Sequence, residues 1–309
     1  MATPYEAVLL IAFGGPDRMA DVRPFLANVL RGRRVPPERV EEVVHHYERF
    51  DGHSPLTELT VRQAEALRAD LSARCRSLPV YVGMRNWTPY LHESLARMRA
   101  EGIRRTLGIV MAPHRSYSSW EQYHENVAEA RAQVGPGAPE IDYLGPWFDH
   151  PGFIEAQADR VADAFAAIPA AQRPAAWLIF TAHSIPEAMA ATSPYVEQLT
   201  ASARLVAARL DHPRWSVAYQ SRSGDPRAPW LGPDVTEVIR GLGGDGTAAV
   251  VVVPIGFVCD HIEVLYDLDT EAREAARQAG VAFHRAGTVL DHPAFVRMLG
   301  DLVRARAAA

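Results

Sequence analysis

Cysteine is almost missing from this chain. Cys75 and Cys259 are the only two in 309 residues, far apart and in no CxxC spacing. That suits a reducing compartment and gives no framework of disulfides to hold the fold. Positive charge is also in deficit. The formal net charge of -5 argues against broad nucleic-acid binding, which needs a basic surface to displace counterions. No apolar run approaches the length of a membrane span; the longest, around Ala248 to Val253, is strand-sized. The opening Met-Ala-Thr-Pro-Tyr-Glu has no basic region followed by an apolar signal core. A soluble cytoplasmic protein is therefore expected. No Walker A sequence and no GxSxG elbow occurs, so nucleotide-driven chemistry and serine hydrolysis lose ground. Gly241 to Gly246 fits GxGxxG but follows a helical pattern and enters a strand, the reverse of the order a dinucleotide site needs.

What the chain does have is a regular alternation. Apolar runs stand at Ala7–Phe13, Val80–Val82, Leu107–Met111, Ile141–Leu144, Ala176–Thr181, Ser216–Tyr219, Ala248–Pro254 and Val281–His284. Several are apolar throughout, as in strands covered on both faces of a parallel sheet. Helical patterns such as Val61–Leu71, Tyr90–Ala100, Trp120–Val134, Tyr195–Leu210 and Thr270–Gln278 lie between them. Strand alternating with helix predicts an α/β fold of two similar Rossmann-like domains, each a four-stranded parallel sheet flanked by helices. The expected divisions are 1–150, 151–285 and a terminal helix within 286–309 packing back on the first domain. The interval 17–60 is too long for an ordinary connection and is read as a lip over a cleft. It holds Val22–Leu30, the basic turn Arg31 to Arg34, and Pro37–Tyr47.

In such sheets ligands bind beyond the carboxyl ends of the strands. There the chain places Phe13-Gly14-Gly15-Pro16, Arg85-Asn86-Trp87, Pro113 to Ser116, His183-Ser184, Gln220 to Arg222 and Gly256 to Glu263. Phe13 could lay its ring on a flat ligand, or its glycines could simply make a tight turn. A lone histidine such as His183 is more often a structural group, but its position after a buried strand favours function. Glu263, Asp267 and Glu271 recur at four-residue spacing. On a helix they form one acidic stripe, either a solvated face or a string of oxygen ligands for a hydrated divalent cation. Arg31 to Arg34 could hold ligand carboxylates.

Together these segments resemble a ferrochelatase over nearly the whole chain. The resemblance rests on Ala12 to Pro16, Gly52-His53-Ser54-Pro55-Leu56, Ala112-Pro113-His114, Ala182 to Pro186, Gln220-Ser221, Pro229 to Val235 and Gly256 to Asp267. Arg31-Gly32-Arg33 and Gly83 to Trp87 are similar to the bacterial coproporphyrin III enzymes of the actinobacterial type. The resemblance implies insertion of Fe²⁺ into a porphyrin held between two domains. It implies His183 and Glu263 as catalytic and metal-handling residues, and Asp267 and Glu271 as an outer divalent site, with Mg²⁺ as accessory ion. Ser54 and Tyr123 match positions that contact the substrate's propionates, and His46-Tyr47 stand where relatives place Arg-Tyr for that purpose. Arg31 and Phe13 complete the implied substrate contacts.

The departures from the family pattern also carry expectations. Phe13 replaces the Tyr that ligates product iron in many relatives, so oxygen ligation there is excluded. Leu30 and His46 stand where those relatives have arginines, and Asn86 replaces their His. Relatives with an iron–sulfur cluster need four cysteines; here Trp120 occupies one of those positions, so no cluster is expected. No organic cofactor is implied. A monomer working beside other haem-pathway enzymes is the expectation. His183 and Glu263 are expected to face each other from opposite walls and to share proton removal and metal handling across the macrocycle. Protoporphyrin IX as substrate, a cobalt or nickel chelatase, and a non-catalytic tetrapyrrole carrier remain as alternatives.

Overall fold

A computed structural model describes residues 5–32, 35–74, 77–223 and 228–308. Arg33, Arg34 and Cys75 lie outside the described residues. The chain divides into two units. The first takes residues through Ala112, Tyr117–Pro146 and those from Leu290 onward; the second takes Pro113–Ser116 and Trp147–Val289.

In the first unit, strands β1 (Ala7–Ala12), β2 (Val80–Met84), β3 (Arg105–Val110) and β4 (Glu140–Tyr143) form one parallel sheet in the order β2-β1-β3-β4. Every residue of β1 is buried, because a central parallel strand is covered on both faces. Its Leu9 and Ile11 join Leu95, Met98 and Val127 in the core. Truncating any of these large buried side chains to Ala is expected to cost about 2–5 kcal/mol. Between β1 and β2 lie helices α1 (Met19–Val29), α2 (Pro37–Glu48) and α3 (Leu56–Arg74). Arg23 ties α1 to α2 through a bidentate pair with Glu41, both contacts at 2.7 Å. Helix α4 (Leu91–Ala100) starts at a capping box in which Glu93 accepts from the Tyr90 amide at 2.7 Å. Helix α5 (Glu121–Val134) leads into β4.

The second unit repeats this plan. Strands β5 (Trp177–His183), β6 (Trp215–Gln220), β7 (Ala249–Val253) and β8 (Ala282–Arg285) pair in parallel in the order β6-β5-β7-β8. Around them run α6 (Pro151–Ala166), α7 (Glu187–Ala190), α8 (Tyr195–Arg209), α9 (Val235–Gly244) and α10 (Arg273–Gln278). Asp234 caps α9, accepting from Thr236 N at 2.8 Å. The segment expected to enter α10 as ordinary helix is instead a π-helix over Val264–Ala272. Its buried residues Val264, Leu268 and Ala272 recur every four positions and enter the core beside β7.

Helix α11 (Pro293–Ala308) returns the chain to the first unit, where it packs on α3. Arg62 of α3 holds Asp291 at 2.6 Å, and Gln63 donates to the Leu290 carbonyl at 2.9 Å. All eight apolar runs became strands. The fold is two parallel four-stranded α/β sheets.

Candidate active site

The second unit brings its acid–base residues together at the carboxyl end of its sheet. His183 closes β5, in register with Gln220 at the end of β6. Glu263 arrives on the segment that follows β7, the other neighbour of β5. That segment turns sharply because Gly256 N donates to the Thr181 carbonyl at 3.0 Å. A Cβ on Gly256 would lie 2.5 Å from Ala182 Cβ and 2.8 Å from Ala182 Cα, so only glycine fits there.

The result is a close pair, with His183 Nε2 lying 3.7 Å from a Glu263 carboxylate oxygen. The other ring nitrogen, Nδ1, faces the Ser184 carbonyl within hydrogen-bond distance. A carbonyl only accepts, so Nδ1 carries a proton, and in the neutral ring Nε2 presents its lone pair to Glu263. Two acceptors face each other across a gap that suits a proton or a cation. The side chains are 28 % and 40 % exposed, so a substrate can reach them. Tyr195 fixes the strand end, donating to the His183 carbonyl at 2.9 Å.

Behind Glu263, Asp267 on the π-helix is bonded by the Ser221 hydroxyl, with Gln220 Nε2 at 3.5 Å. Burial, then the neighbouring Glu263 charge, pushes the Asp267 carboxyl up to about 8, against the opposing Ser221 bond. Glu271, one step further, is exposed. The stripe therefore runs from two half-buried acids to an exposed one. Among the described residues no three His, Cys, Asp or Glu side chains stand ready to hold a metal ion.

One expectation is overturned. His183 and Glu263 do not look at each other from opposite walls, because both belong to one unit, His183 ending β5 and Glu263 lying on the segment that follows the neighbouring β7. A flat ring between two side chains needs about 7 Å, twice the contact distance of carbon atoms. The observed 3.7 Å leaves no room for a macrocycle between them. Any flat ligand would meet both groups from the same side.

The first unit assembles a different surface. Phe25, on α1, is 3 % exposed and meets Phe13, Tyr47 and Trp87 edge-on, with centroids 6.2, 6.2 and 6.3 Å away. The Arg85 guanidinium lies 5.6 Å from the Phe13 ring centre and 4.3 Å from that of Tyr123. Phe13 is 36 % exposed, whereas Tyr47 and Tyr123 are buried. Ser54 is buried against Gly15, its amide donating to the Pro16 carbonyl at 2.9 Å. Arg31 is exposed at the end of α1 and donates to Asn28 Oδ1 at 2.9 Å; His46 is half-buried on α2. Phe25 and Arg85 were absent from the predicted site. An aromatic at helical spacing reads as core, and only the position of Arg85 just past β2 pointed to it. A surface cleft between α4 and α5, lined by His92, Arg99 and Gln133 among others, contains none of the predicted site residues.

Comparison with known proteins bears on the family and the fold. The ferrochelatase family model matches residues 5–307. The coproporphyrin III ferrochelatase of Mycolicibacterium smegmatis is 46% identical over 97% of this chain and 89% of its own length. That of Mycobacterium avium is 47% identical over 97% and 87%, and the ferrochelatase of Rhodopirellula baltica 44% over 98% and 86%. Among solved structures, SirB from Bacillus subtilis with Fe³⁺ superposes with a TM-score of 0.61 at 12% identity, covering 98% of this chain and 96% of that one. At that identity the likeness is one of fold.

Proposed function

The chain belongs to the ferrochelatase family, and from that premise we propose that it inserts Fe²⁺ into coproporphyrin III, with His183 and Glu263 handling protons and metal from one face of the macrocycle. The reaction removes two protons from pyrrole nitrogens and strips water from Fe²⁺ as four nitrogens become ligands. The observation that carries the residue assignment is the His183–Glu263 pair, in which a lone pair fixed by the Ser184 carbonyl faces a carboxylate at 3.7 Å. Imidazole nitrogen suits borderline Fe²⁺ and also accepts a proton; carboxylate oxygen does either as well.

Asp267 and Glu271 are assigned as an outer divalent site. The half-buried Asp267 carboxyl, its pKa raised by desolvation and then by the Glu263 charge, is one that a cation would neutralise. A bound Mg²⁺ would supply that charge. Phe13 is assigned to the flat face of the porphyrin, and Arg31, His46, Tyr47, Ser54 and Tyr123 to its carboxylate edge. No helix among the described residues is long and apolar enough to cross a membrane.

Anaerobic mixing of Fe²⁺ with coproporphyrin III, followed by absorption, tests the proposal. His183→Ala should lower kcat by roughly 10²–10⁴-fold, the range of a lost acid–base group, while the protein stays folded. Glu263→Gln should cripple insertion with porphyrin affinity retained. A carrier would shift the spectrum without accelerating insertion. A higher kcat/KM on protoporphyrin IX would overturn the substrate assignment.

A further inference from the structure

Arg285 ends β8, and its side chain is only 14 % exposed. Its guanidinium faces two carboxylates carried by different segments. Nη1 and Nη2 donate to Asp260 Oδ1 and Oδ2 at 3.2 and 3.0 Å. Nε lies 2.9 and 3.0 Å from the two carboxylate oxygens of Asp269. Asp260 precedes Glu263 by three positions and Asp269 follows it by six. One cation therefore holds the chain on both sides of the glutamate. Arg273, further along, also bonds Asp269, with Nη2 to Oδ1 at 3.4 Å and Nε to the backbone carbonyl at 3.1 Å.

We infer that Arg285 is a positioning residue: by clamping Asp260 and Asp269 it fixes the backbone that brings Glu263 within reach of His183. The inference rests on the proposed role of Glu263 in metallation. A planar fork serving two carboxylates at once is a geometry that guanidinium supplies and ammonium does not. Exposed ion pairs fix little, but this one is largely buried and joins a strand end, a loop and a π-helix. The π-helix is a rare backbone form found frequently at functional sites, and Asp269 lies within it. Burial works against the Arg285 charge, and Asp260 and then Asp269 more than offset it, so its pKa is raised. Without the guanidinium two carboxylates are left facing each other, and the segment between them relaxes away from His183.

Two variants test this against the wild-type chain. Arg285→Lys keeps the charge and loses the fork. The combined Asp260→Asn, Asp269→Asn, Arg285→Met protein removes all three charges of the clamp; it takes a partner only from Arg273, whose side chain is exposed to water, so folding is protected. Anaerobic insertion gives kcat and KM for coproporphyrin III, and fluorescence quenching gives the number of porphyrins bound per chain. Both variants should lose roughly tenfold to a hundredfold in kcat, the scale of an ångström-sized misplacement. Porphyrin stoichiometry should equal that of wild type, and KM should stay within about threefold, since the fork orients a catalytic group rather than binding porphyrin. Wild-type kcat in both variants overturns the inference, as does a loss of bound porphyrin in step with kcat, which would mark a purely structural role. A wild-type chain that fails to accelerate insertion brings down the functional reading together with this one; an active wild type with unaffected variants brings down this one alone.

Discussion

The two units share one sheet plan, β2-β1-β3-β4 against β6-β5-β7-β8, all parallel. What they carry at the strand ends is opposite in chemistry. The first unit surrounds Phe25 with three rings and lays Arg85 over Phe13 and Tyr123. The second sets His183, Glu263 and Asp267 in sequence, with a half-buried His261 beside them whose pKa desolvation pulls below its ordinary value. The same scaffold thus carries an aromatic cluster once and a cluster of titratable groups once. The sheets alone do not set that difference; the segments after the strands do.

The sharpest way to break this division is to disturb the loop that delivers Glu263. Gly256→Ala would put a methyl group into Ala182, and the loop must lift by about an ångström to clear it. A shift of that size costs about a hundredfold in rate when it displaces a catalytic group. Steady-state insertion should therefore show kcat falling by that order, with KM for porphyrin nearly unchanged. A KM effect without a kcat effect would place porphyrin binding in the second unit and undo the contrast.

The same loop shows where sequence reading stops. The apolar runs Ala7–Phe13 and Ala248–Pro254 announced buried strands, because a strand covered on both faces cannot alternate. His183 and Glu263 were identified as residues. Their placement on opposite walls was wrong for a physical reason. Strand order is not written locally: β6 comes between β5 and β7 in the chain, yet β5 and β7 are neighbours in the sheet. Nor does periodicity distinguish the π-helix, since Glu263, Asp267 and Glu271 share a face at four-residue spacing in either helix type. Nothing in the sequence singles out Arg285, because its two partners lie 16 and 25 positions away.

A gentler change in the first unit sharpens the contrast from the other side. Phe25→Leu removes the ring at the centre of three edge-on pairs while keeping an apolar side chain. Such pairs contribute about 0.5–1.5 kcal/mol each beyond buried area, and leucine recovers part of the packing. The expected result is a several-fold rise in porphyrin KM with kcat within about twofold, read from the same insertion assay. A kcat collapse instead would mean that the aromatic cluster orients the chemistry rather than the substrate.

The smallest effect near neutrality separates the units by their response to acid. His114 belongs to the second unit, is 2 % exposed, and places Nε2 3.0 Å from Ser202 Oγ. Burial lowers its pKa from 6.5 to about 3. Above pH 6.5 neither the folded nor the unfolded chain protonates it, and the stability it permits is fully present. Between 6.5 and about 3 the unfolded chain binds a proton that the folded one refuses, so stability falls as pH falls. The slope is about 1.4 kcal/mol per pH unit, and it levels off below about 3, where both states are protonated. The first unit's lowered groups, among them Asp142 and Glu6, are carboxylates held down respectively by Arg105 and by the Arg104 amide. Their folded-state pKa lies below an already acidic ordinary value, so their stabilisation is lost only at lower pH. Denaturant titrations between pH 7 and 5 should therefore show a slope that His114→Gln reduces by about one proton, while Asp142→Asn leaves it unchanged. An equal slope in wild type and His114→Gln would mean that the folded second unit accepts the proton, and the acid response would no longer tell the two units apart.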